Sequence, residues 1–450
     1  MDKLISRLSS ALDSKDIKVD AESKAIYGRD WIKVKDPNPC AITFPRHPSQ
    51  LQEIVRICNE LKVPFVGSGG RTGLSGGATA LNEELIISFE KMNQIYEIDR
   101  DRKMLLCDAG VTTRTIQSIA ADNDLFYPVE FSSSGSSHIG GNIATNAGGI
   151  NVLKYGMTKN YISGIDVIAG NGSNINLDNG LAKDATGPAL KDLFIGSEGI
   201  LGLIYKCRIR LIAPRYDPSV YMLGFSDIKK LNEVTSLLMN HDLEALELIN
   251  RASLELVISM HELKEPLTEK FAYYLLIESS DNTLEESLLD LIKKNIIIDT
   301  VKAEAEAHKE NIWKYRMLIS ESATNFNPIK FDIAVPVENF STLVESLEWY
   351  ISKNKDLTPI FFGHLGDGNL HANFIQQPDF KAPKENLKNI SSFVFQTVME
   401  LRGSISAEHG IGSLKYEYFK KYGDKTKREF IKNAKKFFDE KNLLNPGKLV

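Results

Sequence analysis

The stretch VGSGGRTGLSGGA, residues 66–78, follows the short apolar run PFV and contains six glycines. Glycine at this density lets backbone approach a ligand closely, and runs of exposed N–H groups form concave sites for phosphate oxygens. The stretch lacks the third glycine of GxGxxG, and GxxxxGK[ST] does not occur in the chain. The pattern therefore predicts a phosphate-binding loop of neither standard kind, with a flexible surface loop as the alternative.

Two further glycine-rich segments favour the binding interpretation. GSSHIGGNIATNAGG, residues 135–149, adds small polar side chains that can hydrogen-bond a ring edge or a pyrophosphate. FIGSEGILGLI, residues 194–204, places glycines at three-residue spacing between two apolar runs. Three such segments predict a large, elongated ligand lying along backbone, and a dinucleotide fits that description.

The whole chain has 450 residues and a formal net charge of −5. This length predicts two or three domains, and the acidic balance gives no reason to expect nucleic acid. A lysine-rich stretch at residues 425–441 repeats at helical spacing, so we interpret it as a solvated helix face. A small-molecule ligand is therefore expected.

The cysteines and the N-terminus indicate the compartment. No two cysteines form a CxxC pair, and we interpret all four as buried, reduced thiols: Cys40, Cys58, Cys107 and Cys207. No apolar run approaches the roughly 18 residues that a transmembrane helix requires, so we expect a soluble, cytoplasmic protein. An N-terminal amphipathic helix is expected to pack on its domain, with membrane contact as the alternative; its apolar residues are Leu4, Ile5, Leu8 and Leu12.

Secondary-structure patterns divide the chain near LIAPRYDPSV, residues 211–220. Before it, short β-rich runs alternate with helical stretches. After it, strands such as VYMLGF, AYYLLIE and TPIFFGH alternate with amphipathic helices. This second pattern predicts a sheet covered by helices on one face.

The stretch PIFFGHLGDGNLHANF, residues 359–374, predicts a hairpin with a histidine on each strand. If Asp367 and Gly368 form a two-residue type I′ turn, His364 faces His371 with Cβ atoms about 5 Å apart. Two imidazoles at that separation can bind one ion. The alternative is two core histidines that hydrogen-bond to backbone.

A third ligand is available in SISAEHGIG, residues 404–412. Two imidazoles and one carboxylate can hold a metal while leaving coordination positions open for substrate. Adjacent side chains of an extended segment point to opposite sides, so only one of Glu408 and His409 should bind the metal. We assign Glu408 to the metal.

These motifs occur in the order and spacing of FAD-linked 2-hydroxy-acid dehydrogenases of the vanillyl-alcohol oxidase fold, which the chain resembles from about residue 25 to 450. Within that family it most resembles the D-2-hydroxyglutarate dehydrogenases. The resemblance implies an α+β fold with a two-part FAD-binding domain of p-cresol methylhydroxylase type and a C-terminal substrate domain, whose antiparallel sheet is covered by helices. The implied boundaries are an N-terminal helical segment at 1–35, the FAD-binding domain at 36–214, the substrate and metal domain at 215–425, and a segment returning to the FAD domain at 426–450.

The resemblance also implies the FAD-binding residues. In the first segment, expected to hold the pyrophosphate, these are Gly67, Gly69, Gly70, Arg71, Thr72, Gly73, Ser75 and Gly76. In the second segment they are Ser136, His138, Gly140, Gly141, Asn142, Thr145, Asn146, Gly148 and Gly149. The third segment adds Glu198, Gly199 and Ile204, and the C-terminal part of the chain adds Asn445. Some relatives carry a flavin-linked histidine at the position of His138, where no covalent bond is expected here. Pro188 replaces a tyrosine usual in the family, so no role is transferred to that side chain.

For the substrate, the resemblance implies zinc at His364, His371 and Glu408, with His409 as the general base. Manganese and iron(II) stay open as alternatives. The implied contacts to the substrate come from Arg316, Ser320, Lys330 and Asn373. D-2-hydroxyglutarate is the expected substrate, and D-lactate or another D-2-hydroxy acid is the alternative. An electron-transfer flavoprotein or other soluble acceptor is expected, and a homodimer stays open. A flavin-free metal-dependent hydrolase or lyase is the competing class, which the glycine-rich segments argue against.

Overall fold

The computed structural model describes residues 2–32, 36–181, 183–215, 217–377 and 382–450. The chain forms two compact units: unit 1 is Met1–Gly149, Gly156–Arg215 and Glu408–Val450, and unit 2 is Ile150–Tyr155 and Tyr216–Ala407. The return to unit 1 begins at Glu408, earlier than the boundary expected between 425 and 426. The short excursion Ile150–Tyr155 has no counterpart in the sequence-based boundaries.

The described strands of unit 1 form two sheets. They are β1 Ile17–Lys18, β2 Ile42–Thr43, β3 Phe65–Ser68, β4 Leu85–Ser88, β5 Ile95–Asp99, β6 Met104–Asp108, β7 Ile162–Ala169, β8 Asn174–Asn176 and β9 Gly202–Arg210. The first sheet has the order β1-β2-β4-β3, in which β4 pairs in parallel with β2 and β3. The second has the order β5-β6-β9-β7-β8 and is antiparallel.

The described helices of unit 1 precede, connect or follow these strands in the chain. They are Asp2–Leu8, Ala21–Tyr27, Pro48–Leu61, Thr113–Asp122, Ile139–Thr145, Lys191–Phe194, Tyr416–Tyr422 and Lys425–Phe438, with 3₁₀ turns at Ser14–Asp16, Phe89–Lys91 and Thr158–Tyr161. The longest apolar face belongs to Pro48–Leu61, which begins with a proline at its first position and buries Leu51, Ile54 and Cys58 at helical spacing. Leu4 and Leu8 join the same core, so the predicted packing of the N-terminal helix is confirmed.

Buried thiols and a buried lysine refine the sequence interpretation. All four cysteines are free and buried, as predicted. Cys107 and Cys207, distant in sequence, lie opposite each other on β6 and β9 with sulfurs 3.7 Å apart. The helix Lys425–Phe438 exposes most of its lysines, but Lys435 is buried against Asp439. One lysine of the predicted solvated face therefore belongs to the core.

Unit 2 is built on a seven-stranded antiparallel sheet of order β13-β10-β12-β11-β15-β16-β14. The strands are β10 Ser219–Phe225, β11 Leu243–Asn250, β12 Tyr273–Ser279, β13 Asp299–Ala303, β14 Ile329–Ala334, β15 Leu357–His364 and β16 Asn369–Gln376. The helices are Val152–Tyr155, Leu231–Leu238, Arg251–His261, Leu284–Lys293, Glu306–Met317, Ile319–Thr324, Phe340–Ile351 and Lys384–Glu400, with 3₁₀ turns at Ile228–Lys230, Val337–Asn339 and Leu365–Asp367.

Helices cover both faces of this sheet, whereas the sequence predicted one covered face. Ile249 and Ile360 share a core with Leu254 of the helix Arg251–His261 on one face. On the other face Phe331 contacts Phe395, with ring centroids 5.5 Å apart. The physical reason is that every residue of β11 and β12 is buried, so neither face of these central strands meets water.

Candidate active site

A cavity in unit 1 is lined by all three glycine-rich segments. Most of the predicted cofactor residues line it: Gly67, Gly69, Gly70, Arg71, Thr72, Gly73, Ser75, His138, Gly140, Gly141, Asn142, Thr145, Glu198, Gly199, Ile204 and Asn445. The predicted residues that do not line it are Gly76, Ser136, Asn146, Gly148 and Gly149. Lining residues that sequence reasoning missed are Asp30, Ser68, Gly77, Ala78, Phe89, Ala109, Ala144, Gly202 and Leu203.

Close backbone contact between the first two segments explains part of their composition. A Cβ at Gly70 would overlap the carbonyl oxygen of Ser136. The backbone of Ser136 is therefore packed directly against Gly70 of the first segment. Glycine at position 70 is needed for this packing, and Gly70 also lines the cavity, where the sequence interpretation expected a close approach of the ligand.

Several buried polar atoms on the cavity wall have no hydrogen-bond partner among the described residues. They are Asp30 Oδ2, Ser68 Oγ, Arg71 Nη1, His138 Nδ1 and Asn445 Oδ1. Buried polar atoms in folded proteins are nearly always paired. Arg71 Nη1 lies 3.7 Å from Glu90 Oε2, an ion pair without a hydrogen bond. These atoms that lack hydrogen bonds fit a large ligand that is itself rich in polar groups.

Burial controls the charge state of His138. It lowers the pKa of the imidazole to about 4, and the nearby Arg71 guanidinium contributes in the same direction. The side chain is therefore neutral at physiological pH, and its unpaired Nδ1 can take part in a neutral hydrogen bond to a ligand.

Glu198 holds the segment that carries His409. Its carboxylate accepts hydrogen bonds from the backbone N–H groups of Ile411 at 2.8 Å and Gly412 at 2.6 Å. Burial raises the pKa of this carboxyl, although the two backbone hydrogen bonds oppose that effect. His409 lines the same cavity. The predicted general base and the predicted cofactor residues thus share one cavity of unit 1.

The hairpin of unit 2 differs from the predicted register. Phe362 lies opposite His371, and the 3₁₀ turn Leu365–Asp367 lengthens the connection before Gly368 at φ +78°. The predicted pairing of His364 with His371 is therefore wrong by two positions. Because an even shift keeps side chains on the same face, the two rings still lie 5.4 Å apart between centroids.

Strand register gathers the polar side chains of unit 2 on that face. His364 lies opposite Glu247 of β11, His371 opposite Asp332 of β14, and Asn373 opposite Lys330. Directly opposed residues share a face in an antiparallel sheet. The face therefore carries a polar row, which we define as Glu247, His364, His371, Asp332, Asn373 and Lys330.

Arg316 reaches this polar row from the helix Glu306–Met317. Its Nε donates to Glu247, and both side chains are nearly inaccessible, at 8% and 0% exposed. Burial alone would raise the pKa of Glu247, but Arg316 and His364 lower it to about 2. The interaction is therefore a buried ion pair.

The remaining predicted substrate residue, Ser320, is exposed on the following helix, Ile319–Thr324. Its carbonyl oxygen accepts from Thr324 at 2.9 Å, and Thr324 Oγ1 accepts from Lys330 Nζ at 3.2 Å. Ser320 is thereby connected through Thr324 to the polar row.

Sequence reasoning missed two residues of the polar row, Glu247 and Asp332. For Glu247 it could have succeeded. A signal was present, because LEALELIN, residues 243–250, places acidic residues inside a strand of otherwise apolar character. A buried carboxylate requires partners, so such a glutamate predicts a nearby cation.

Comparison with known proteins shows the family of this chain. The family described as FAD linked oxidases, C-terminal domain, matches residues 217–449, and a family described as FAD binding domain matches residues 39–178. The D-2-hydroxyglutarate dehydrogenase of Stutzerimonas stutzeri (strain A1501) is 37% identical over 99% of this chain and 98% of that protein. A D-2-hydroxyglutarate dehydrogenase of Xanthomonas citri pv. viticola is 34% identical over 100% of this chain and 97% of that protein.

Solved structures share the fold at low identity. p-Cresol methylhydroxylase with substrate bound superposes with a TM-score of 0.78 at 16% identity, covering 100% of this chain and 96% of that one. The 4-ethylphenol oxidase from Gulosibacter chungangensis gives a TM-score of 0.76 at 17% identity, with the same coverage. The expected α+β fold is confirmed. Within the described residues, no helix combines the length and apolarity needed to cross a bilayer.

The unpaired polar atoms and close-packed glycines of the cavity suit FAD, and the family assignment removes the flavin-free hydrolase or lyase as a competing class. The chain belongs to the FAD-linked oxidase family and is an FAD-dependent oxidoreductase.

Proposed function

We propose that this enzyme oxidises D-2-hydroxyglutarate to 2-oxoglutarate, with a divalent metal at His364, His371 and Glu408. The observation that carries the proposal is the polar row of unit 2, where two imidazoles 5.4 Å apart share a sheet face with Lys330 and, through Glu247, with Arg316. A metal site beside cationic side chains suits a substrate with a hydroxy-acid end and a second carboxylate. The curated relatives named above carry the same activity in their names.

The donor set supports a metal. Two imidazole nitrogens and one carboxylate suit zinc, with manganese or iron(II) as alternatives. Ala407 N donates to Asp332 O at 3.4 Å within unit 2, and Glu408 is the next residue in the sequence. A bound metal would polarise the substrate hydroxyl and carboxylate.

His409 is proposed to take the proton of the substrate hydroxyl. His409 lines the cavity assigned to FAD, and a neutral imidazole has a ring nitrogen that can accept a proton. Bound FAD supplies the hydride acceptor. Glu198 contributes by fixing the backbone two and three residues after His409.

Arg316, Ser320, Lys330 and Asn373 are proposed to bind the substrate. A guanidinium suits a bidentate grip on a carboxylate, and an ammonium adds a second positive charge. Lys330 and Asn373 lie opposite each other on β14 and β16, so their side chains can reach one ligand group. This arrangement favours a substrate whose second carboxylate lies away from the metal.

A second candidate is D-lactate oxidation. A putative mitochondrial D-lactate dehydrogenase of Schizosaccharomyces pombe is 30% identical over 99% of this chain and 88% of that protein. D-lactate has the hydroxy-acid end and lacks the second carboxylate, so it would bind the metal without using Lys330.

We also propose a soluble electron acceptor, an electron-transfer flavoprotein in the first instance, and a cytoplasmic location; a homodimer stays open. Flavin that has accepted a hydride must pass its electrons on before the next turnover. Mixing reduced enzyme with the candidate acceptor and following flavin reoxidation tests that part, and sedimentation tests the oligomeric state.

Anaerobic flavin reduction tests the main proposal. We expect D-2-hydroxyglutarate to bleach the flavin faster than D-lactate, and the L-isomers to leave it oxidised. Chelation should abolish reduction, and added Zn²⁺, Mn²⁺ or Fe²⁺ should restore it. Fast reduction by D-lactate with none by D-2-hydroxyglutarate, or full activity after complete metal removal, would contradict the proposal.

A further inference from the structure

Glu247 joins the two sets of side chains that the proposed function uses. Its Oε1 lies 2.5 Å from His364 Nδ1, and its Oε2 accepts from Arg316 Nε. We propose that Glu247 is a positioning residue, which fixes His364 for metal binding and Arg316 for substrate binding at the same time. This inference rests on the proposed function, since His364 and Arg316 take their roles from it.

The contact to His364 determines which ring nitrogen meets the metal. A carboxylate beside Nδ1 favours the tautomer that carries its hydrogen there, so a metal bonds Nε2. The backbone fixes this contact, because Glu247 and His364 are directly opposed on β11 and β15. Both side chains are buried, at 0% and 7% exposed, so water does not compete for the carboxylate.

The contact to Arg316 determines how the guanidinium is presented. Nε is engaged by Glu247, and the guanidinium carbon lies 4.8 Å from the centroid of the Phe362 ring. These two contacts use one edge and one face of the planar group. A substrate carboxylate would therefore meet Nη1 and Nη2, which form a two-pronged donor.

The substitution Glu247→Gln tests these roles, because it keeps the size of the side chain and replaces one acceptor with a donor. Arg316 Nε always carries a hydrogen, so the amide oxygen must face Arg316 and the amide NH₂ must face His364. His364 Nδ1 must then accept, which moves the ring hydrogen to Nε2. We expect the zinc affinity of the FAD-loaded protein to fall about 10–100-fold.

Glu244→Gln is the matched control. Glu244 lies on the same strand, is 1% exposed, and accepts from Lys154 Nζ at 2.6 Å and Ser280 Oγ at 2.9 Å. Its replacement removes a buried carboxylate from β11 without altering the contacts of His364 or Arg316. We expect this variant to lose stability and to retain wild-type zinc affinity.

The double variant Glu247→Gln with Arg316→Met distinguishes tautomer control from general damage. Without the guanidinium, the amide oxygen can turn to His364 and accept from Nδ1–H. Zinc affinity should return to the wild-type range, while kcat/KM for D-2-hydroxyglutarate stays low because the Arg316 guanidinium no longer binds the substrate carboxylate. Removing both halves of the buried ion pair leaves no uncompensated charge. The zinc affinity of the double variant can therefore be measured even if Glu247→Gln alone does not fold.

Zinc affinity is measured by competition with a chromophoric chelator, and folding by circular dichroism and flavin absorbance. Glu247→Gln with wild-type zinc affinity, or a folded double variant that binds zinc poorly, would overturn the inference. If wild-type protein binds no divalent metal, the proposed function fails and the inference fails with it. Metal binding by the wild-type protein therefore shows whether a negative result concerns the role of Glu247 alone or the proposed metal site as a whole.

Discussion

The carboxylate of Glu198 accepts a hydrogen bond from the backbone N–H of Gly412 at 2.6 Å, and a second from Ile411 at 2.8 Å. Both contacts lie within unit 1 and join the third glycine-rich segment to the segment that begins at Glu408. Glu198 itself adopts φ +53°, a strained conformation for a non-glycine residue. Such a residue persists only where its surroundings hold it in place.

Glu198→Gln should weaken this connection. The amide can accept one of the two hydrogen bonds, and its NH₂ group must face the other N–H. An unpaired buried donor costs about 1–3 kcal/mol, so we expect a lower melting temperature and slower anaerobic flavin reduction. Glu22→Gln, at an exposed helical position of the same unit, is the control. Equal melting temperatures for the two variants would refute a structural role for the carboxylate.

Gly70→Ala should disturb the cavity. The new methyl group would overlap the carbonyl oxygen of Ser136, and backbone would have to shift to admit it. Overpacking of this kind costs about 1–3 kcal/mol, and the shift should lower the flavin content measured from visible absorbance. Gly135→Ala is the matched control, because no described heavy atom lies within 4 Å of its added Cβ. Wild-type flavin content in Gly70→Ala would show that the two segments are not held rigidly together.

Lys330→Met should alter substrate preference. If its ammonium binds the second carboxylate, KM for D-2-hydroxyglutarate should rise by tenfold or more, equivalent to about 1.4 kcal/mol, while KM for D-lactate stays constant. Lys302→Met is the control, since that ammonium lies on the edge strand β13 and pairs with Glu285 and Glu304. A proportional change in KM for both substrates would contradict the assignment.

The hairpin shows how far local sequence rules reach. Asp367-Gly368 predicted a two-residue turn and a direct histidine pair, but the 3₁₀ turn Leu365–Asp367 moved the register by two. Turn length depends on how the connection packs against the rest of unit 2, which the local sequence does not contain. Side-chain alternation along a strand has a period of two, so the shared face was predictable although the partner was not.

Residues of the glycine-rich segments were easier to predict from sequence than functional residues that lie outside any motif. The three segments were recognisable by composition alone, and sixteen of the residues predicted from them or from the family line the cavity. Asp30 and Phe89 also line it, yet each lies in a stretch without any motif. In unit 2, the acidic residue Glu247 could be noticed inside an apolar strand, but its two partners are 69 and 117 residues away in sequence. Contacts at such separations depend on tertiary packing.

Asp16 provides a prediction about acid stability. Its side chain is 1% exposed and pairs with Arg46 Nε at 2.8 Å and with Lys91 Nζ. Burial raises the pKa of the carboxyl, but Arg46 and Lys91 together lower it by more than burial raises it. The folded-state pKa therefore lies below the ordinary value of 3.8. A depressed carboxyl pKa stabilises the fold above the unfolded-state pKa, and that contribution is lost as pH falls through the folded-state value.

Asp16→Asn should therefore lower the free energy of unfolding by about 1–3 kcal/mol at neutral pH. The loss is limited because Arg46 and Lys91 are 41% and 31% exposed and can regain water when the ion pair is broken. Urea unfolding from neutral pH down to about pH 3 measures the difference between variant and wild type, which should stay constant at first and shrink below about pH 4. Asp13→Asn is the control, because Asp13 is exposed and lies 3.4 Å from Lys15. A difference that persists unchanged at low pH would show that Asp16 stabilises the fold by packing, and that its charge contributes little.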